Sequence, residues 1–270
     1  MRRRQLTATI VSAVFLFPLV FLVLGALREP GAPPPTGLEV LAPTPSTGGF
    51  ERAFALVDLG RQLLNSGLVA LIAVPLTVLV ASWAGFAITL LGRRGRRLVI
   101  GATLVALLVP LSAVWVPRFV LFSKLELIDT YVPLVAPALM ATSPLYVLLF
   151  YWSYSRLPRD LVDAARIEGL GPLQIWRRVA SPLVRPTTFA VAALAFVFHW
   201  SNFVDPLLYL NDPRLFTAPL GLRQLKDLGP TDFSVLLAGA LVVTLPAALA
   251  FGAVQHRFLS EVRAAGWLGR

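Results

Sequence analysis

The stretch LPRDLVDAARIEGLGPLQIWRRVASPL, Leu157 to Leu183, decides how this chain is read. It is polar, carries both signs of charge, and sits between long apolar segments. Asp160, just after Pro158, is placed to cap a helix whose N3 position is Asp163, a capping-box-like arrangement. Leu161, Ala164, Ala165 and Glu168 then share one face at helical spacing, and small side chains there admit the close approach of another surface. Gly169, Gly171 and Pro172 end that helix. A second short amphipathic segment follows, with Leu173, Trp176 and Ala180 on one side and Arg177 and Arg178 nearby. Pro182 marks the entry to the next apolar run. The residues alone leave two readings open: an element folded to touch a partner, or a surface helix at a membrane interface in which Asp163 only caps.

Outward from this loop the chain is apolar. Of its 270 residues 57% are hydrophobic and 14% charged, a composition typical of a polytopic membrane protein. A span needs about 20 mostly apolar residues, and six stretches qualify: Leu6–Leu27, Leu63–Leu91, Leu98–Phe122, Tyr131–Trp152, Leu183–Leu210 and Phe233–Leu259. Several contain proline (Pro18, Pro75, Pro110, Pro137, Pro144, Pro246). Neighbouring helices can re-satisfy the freed backbone groups, so these prolines are expected to kink the spans rather than break them. The opening MRRRQ before an apolar run has the shape of a signal peptide, but the run is longer than the usual h-region and is read as an uncleaved first span.

Charge orients the chain. With the amino terminus inside, the segments 1–5, 92–97, 153–182 and 260–270 and their margins hold sixteen of the 24 Lys and Arg residues. The positive-inside rule then puts both termini in the cytoplasm. Basic flanks account for the net charge of +10, so no nucleic-acid partner is called for. The Pro/Gly-rich stretch 28–49 is an external loop, and 211–232 is another.

Absences narrow the function. There is no P-loop, because the only lysines, Lys124 and Lys226, follow Ser and Leu rather than Gly. Spans one, two, three, four and six hold no interior Asp or Glu, which disfavours a proton- or ion-coupled transporter. The chain has no Cys, so neither disulfides nor thiolate metal sites are available, and His199 and His256 lack metal-ligand spacing. The exceptional span is the fifth. FVFHWSNFVDPL puts His199, Ser201, Asn202 and Asp205 in or near its outer half. Polar groups at membrane depth usually face a bundle interior or a wet cavity, so these four are candidates to line a solute pathway. Asp205 is expected at the interface.

The central loop resembles the cytoplasmic signature of inner-membrane permease subunits of bacterial ABC importers: Glu-Ala-Ala, three residues, Gly, nine residues, then Ile-x-Leu-Pro. The matching positions are Asp163, Ala164, Ala165, Gly169, Val179 and Pro182, with the full spacing. Asp163 replaces Glu, Val179 replaces Ile and Ser181 replaces Leu. The chain looks like the second-subunit, maltose permease MalG-like group of carbohydrate importers. Asn65 and Ser66, GRRGRR, LELIDTYVPLVAP, and Trp200, Phe203, Pro206 and Leu207 fit that pattern. The group typically has Trp-Asn before this Phe, where this chain has Trp200-Ser201 with Asn202 next.

The resemblance implies an all-α fold of type I ABC importer permease kind, with six transmembrane helices and a cytoplasmic coupling helix. Residues 1–61 would form the first helix and external loop, 62–259 the core permease domain, and 260–270 a cytoplasmic tail. It implies a bacterial inner-membrane transport subunit, not an enzyme, that moves a sugar or sugar derivative. A second permease, two copies of a cytoplasmic ATPase and an external solute-binding protein are the implied partners. No cofactor would bind directly, since ATP and Mg²⁺ would be used by the ATPase. Asp163, Ala164, Ala165, Gly169, Val179 and Pro182 would make the ATPase coupling. The alternatives are an ABC permease for a non-sugar solute and a stand-alone channel or facilitator.

Overall fold

The computed structural model describes residues 2–32, 44–227 and 233–264. Much of the expected loop 28–49, the end of the loop 211–232 and the tail beyond 264 lie outside the described residues. Every regular element among those described is helical. They are α1 (Arg2–Ala26), α2 (Gly48–Leu56), α3 (Leu59–Leu90), α4 (Arg93–Leu107), α5 (Leu111–Lys124), α6 (Val132–Val135), α7 (Pro144–Ser155) and α8 (Arg159–Ile167). Then follow α9 (Pro172–Ile175), α10 (Ser181–Leu183), α11 (Arg185–Trp200), α12 (Val204–Tyr209), α13 (Ala218–Asp227) and α14 (Phe233–Ala264). Short 3₁₀ turns cover Ala136–Met140 and Pro213–Leu215, and a π-helical turn covers Trp176–Ala180.

Among the described residues four stretches are long and apolar enough to cross a membrane: Gln5–Ala26, Leu59–Leu90, Val132–Ser155 and Phe233–Ala250. Counting each of two sharply bent helix pairs as one span makes six. The prolines do not all behave alike. Pro18, Pro75 and Pro246 lie inside continuous helices, as expected. Pro110 instead breaks its span: α4 stops at Leu107, and α5 leaves at 90° to it from Leu111. Proline has no N–H to give and pushes the preceding residue out of helical geometry. The fifth stretch is likewise not one helix. It turns by 86° between α10 and α11, and Ser201–Phe203 separate α11 from α12.

The chain divides into two compact units, Met1–Ser66 with Asp212–Ala248, and Gly67–Asn211 with Leu249–Arg270. The first packs Ala53, Val57, Leu59, Ala218, Leu225 and Val235 into a buried cluster. Its polar fastening comes from the first turns of α3. Ser66 Oγ accepts the Ala218 N–H at 2.8 Å, satisfying an amide at the start of α13 that has no partner within its own helix. Asn65 Nδ2 donates to the carbonyls of Arg214 and Phe216, each at 2.9 Å. The Asn-Ser pair therefore holds the segment 213–218.

The second unit is built on Phe86, Tyr146, Phe150, Tyr154, Ile175 and Val191 with small alanines between them. Gly85 lets α3 and α7 meet: a Cβ there would lie 2.6 Å from Phe150 Cβ and 2.8 Å from the Tyr151 backbone nitrogen. Alanine gains about 1 kcal/mol of helix propensity over glycine, but overpacking against backbone costs about 1–3 kcal/mol. Gly85→Ala is thus expected to lower the thermal unfolding midpoint of the purified protein by several degrees. Gly101→Ala, with nothing within 4 Å of its Cβ, is expected to leave the midpoint unchanged or raise it.

Candidate functional site

Three interruptions of helical backbone converge in the second unit. One is the break before Leu111, one is Ser201–Phe203, and the third is the link from the 3₁₀ turn to α7. In that link Ala141 and Thr142 both take left-handed backbone, with φ of 60° and 57°. For a β-branched residue such as Thr142 this conformation is strained, and strain of this kind clusters at functional positions. The three meet around a cleft of about 300 Å³. Leu111, Trp115 and Arg118 line it from one face of α5, as their i, i+4, i+7 spacing requires. Thr142, Asn202 and Asp205 line it from the other elements.

The charged centre of the cleft is the pair Arg118 Nη1 to Asp205 Oδ1, at 3.4 Å. Asp205, in the first turn of α12 just after the break that follows α11, is only 5% exposed. Asn202 Nδ2 donates to the second carboxylate oxygen at 2.8 Å, and Asn202 Oδ1 accepts the Asp205 N–H at 3.2 Å. Arg118 also donates to the Pro133 carbonyl at 3.1 Å and lies over the Tyr209 ring. Each buried charge is thus paired and further hydrogen-bonded, as burial demands.

Of the four expected pathway residues, Ser201, Asn202 and Asp205 line the cleft and His199 does not. The Ser201 hydroxyl donates to the Val197 carbonyl at 2.6 Å. His199 stands behind Thr142, with Nε2 at 3.2 Å from Thr142 Oγ1, and Thr142 in turn bonds Thr77. Sequence reasoning passed over Arg118. The signal was a lone guanidinium inside the apolar stretch 98–122, which by default marks a functional position.

The loop from Leu157 onward forms the second feature. α8 is capped by Pro158 without a side-chain bond, so the expected Asp160–Asp163 box is not made; Asp160 lies in the first turn and Asp163 pairs with Arg166 at 3.3 Å. Gly169 has φ +81°. The bonds Gly169 N–H to Arg166 O and Leu170 N–H to Ala165 O, at 2.9 and 3.1 Å, make a Schellman cap. The two alanines part company. Ala164 is exposed and Ala165 is buried in the core, since successive helix positions lie about 100° apart. The outward face is Asp160, Leu161, Asp163, Ala164 and Ile167, with Ile167 88% exposed. Ile167 was not foreseen.

Beyond Gly169 the loop is anchored to the spans. The Trp176 Nε1–H donates to Ser82 Oγ at 2.9 Å and to Tyr154 Oη at 3.1 Å, and those two oxygens are 2.7 Å apart. Ser181, one of the three departures from the signature, reaches the same phenol. Val179 is half-buried within the π-helical turn, and Pro182 is exposed in α10.

The profile of the family described as binding-protein-dependent transport system inner membrane component matches residues 73–259. The arabinooligosaccharides transport system permease protein AraQ of Bacillus subtilis is 30% identical over 96% of this chain and 92% of its own length. The lactose transport system permease protein LacG of Rhizobium radiobacter is 30% identical over 76% of this chain and 75% of its own. Among solved structures, that of a bacterial ABC transporter involved in the import of the acidic polysaccharide alginate matches with a TM-score of 0.76. It is 17% identical and covers 94% of both chains, so it speaks to the fold.

Removing one member of the Arg118–Asp205 pair strands the other. The usual cost for a buried pair is about 3–5 kcal/mol, and the partial access of Arg118, 22% exposed, places this one at the lower end. Arg118→Gln and Asp205→Asn are each expected to lower the thermal midpoint. The double replacement is expected to cost clearly less than their sum, a coupling read by a double-mutant cycle.

Proposed function

The chain belongs to the family of inner-membrane components of binding-protein-dependent transport systems, and from that premise we propose that it carries a sugar or sugar derivative inward, coupled to a separate ATPase. It is a multi-pass membrane subunit of a transport system, and not an enzyme. The observation that supports a solute pathway in this subunit is the cleft at the three helix breaks. Irregular backbone at membrane depth is tolerated where it is covered by protein or lines a wet cavity. Relatives named for arabinooligosaccharides and lactose support the sugar class.

In this reading an external binding protein delivers solute, a second permease completes the pathway, and two ATPase copies bind ATP and Mg²⁺ on the cytoplasmic side. Both termini and α8 lie in the cytoplasm, in keeping with the basic segments. The exposed face of α8 docks on the ATPase. Its apolar Leu161, Ala164 and Ile167 supply contact area, and its carboxylates Asp160 and Asp163 seek a basic rim. Ala165 serves from within, seating α8 on the core, while Gly169 fixes the turn. Val179 and Pro182 belong to the anchored half, where Trp176, Ser82 and Tyr154 join α8's neighbours to α3 and α7. ATPase closure would therefore move α8 and the spans together.

The two alanines separate docking from folding. Ala164→Arg puts a bulky charge on the exposed face. It is expected to leave the subunit inserted and folded, while co-purified ATPase and ATP-driven uptake fall at least about tenfold. Ala165→Arg buries the charge and is expected to lower the yield of folded subunit itself. Full ATPase co-purification with Ala164→Arg would contradict the docking assignment.

A further inference from the structure

The charge balance of the cleft carries an inference about which sugars it accepts; it rests on the reading of the cleft as a solute site. Among the described residues Arg118 and Asp205 are the only charged side chains that line it, and they pair at 3.4 Å. Neither is exhausted by that contact. Among the described residues the guanidinium pairs with Asp205 and donates to the Pro133 carbonyl, which leaves further N–H groups of its five. Among the described residues Arg118 pairs with one carboxylate oxygen and Asn202 donates to the other, and each oxygen has a second lone pair to offer. Asn202 has one further N–H beyond its bond to Asp205. The pair and Asn202 therefore offer the cleft both donors and acceptors, and the aromatic Trp115 lines the same cleft.

A neutral sugar matches this wall. Its vicinal hydroxyls each donate and accept, and the C–H face of its ring packs on an aromatic plane. A uronate, phosphate or sulfonate needs donors with net positive charge. Here it finds a guanidinium already claimed by a carboxylate, and the carboxylate itself repels it. We propose that the Arg118–Asp205 pair is the specificity device of this subunit, selecting neutral polyhydroxylated solutes against anionic sugars. Asp205 is the excluding group. Arg118 holds it in place and contributes donors.

Equilibrium binding to the purified permease–ATPase complex, without the solute-binding protein, reads this wall apart from that protein's own selectivity. The probes are neutral gluco-, galacto- and arabino-configured di- and trisaccharides and their uronate and 6-phosphate counterparts. The wild-type complex is expected to bind its best neutral sugar at least about tenfold more tightly than the anionic counterpart. Asp205→Asn frees the guanidinium and is expected to shift that ratio about tenfold or more toward the anion. Arg118→Gln leaves the carboxylate alone and is expected to shift it the other way; this variant carries the test if Asp205→Asn does not assemble. A ratio unchanged in the single variants that still bind sugar would overturn the proposal while leaving the sugar pathway standing. A wild-type complex that binds neither class would overturn the sugar reading of the cleft, and this proposal with it.

Discussion

Hydrocarbon offers a peptide group no hydrogen-bond partner, so a membrane helix can stop only where protein or water takes over its backbone. That constraint organises the second unit. α4 ends before Pro110, α11 ends at Trp200, and the 3₁₀ turn ends in two left-handed residues before α7. Each stop leaves backbone groups to satisfy, and all three lie around one cleft that holds a charged pair. Side chains complete what the breaks begin. Asn202 accepts the Asp205 amide, and Arg118 takes the Pro133 carbonyl. The Arg118–Asp205 pair is tolerated in its buried position because both ends are held by further bonds.

A second polar group links the loop from Leu157 to Leu183 to the same unit. Trp176, Ser82 and Tyr154 bond in a closed triangle, with Trp83 edge-on to Trp176 at 5.5 Å between ring centroids. The signature's second half runs through the π-helical turn Trp176–Ala180, which begins at the indole of this triangle. Satisfied buried networks of this kind hold one arrangement. This one ties the second half of the loop to α3 and α7.

The sequence made some of this plain and hid the rest for identifiable reasons. Apolar length alone shows the candidate spans, and the spacing from Asp163 to Pro182 shows the signature. The Schellman turn follows from Gly169, because a positive φ favours glycine. The Arg118–Asp205 contact was illegible, because the two lie on separate elements brought together only by two helix breaks. Pro110 reads the same as Pro75 in a hydropathy pattern, yet one stands at a 90° break and the other inside a continuous helix. Periodicity put Ala164 and Ala165 on one broad face, but the core beside α8 chose between them. Ser181 stands where the signature has an apolar residue, and its hydroxyl reaches Tyr154.

The central claim is that the cleft at the helix breaks is wet and open to solute. The chain contains no Cys, so Ser201→Cys, a near-isosteric change at the cleft wall, introduces its only thiol. The measurement is the rate at which a membrane-impermeant thiol reagent labels this subunit in proteoliposomes bearing the assembled transporter, with and without ATP and sugar. The account predicts labelling that depends on nucleotide state and slows when saturating sugar is present. A thiol that resists the impermeant reagent in every state, yet reacts with a lipophilic one, would place the cleft in lipid and contradict the account.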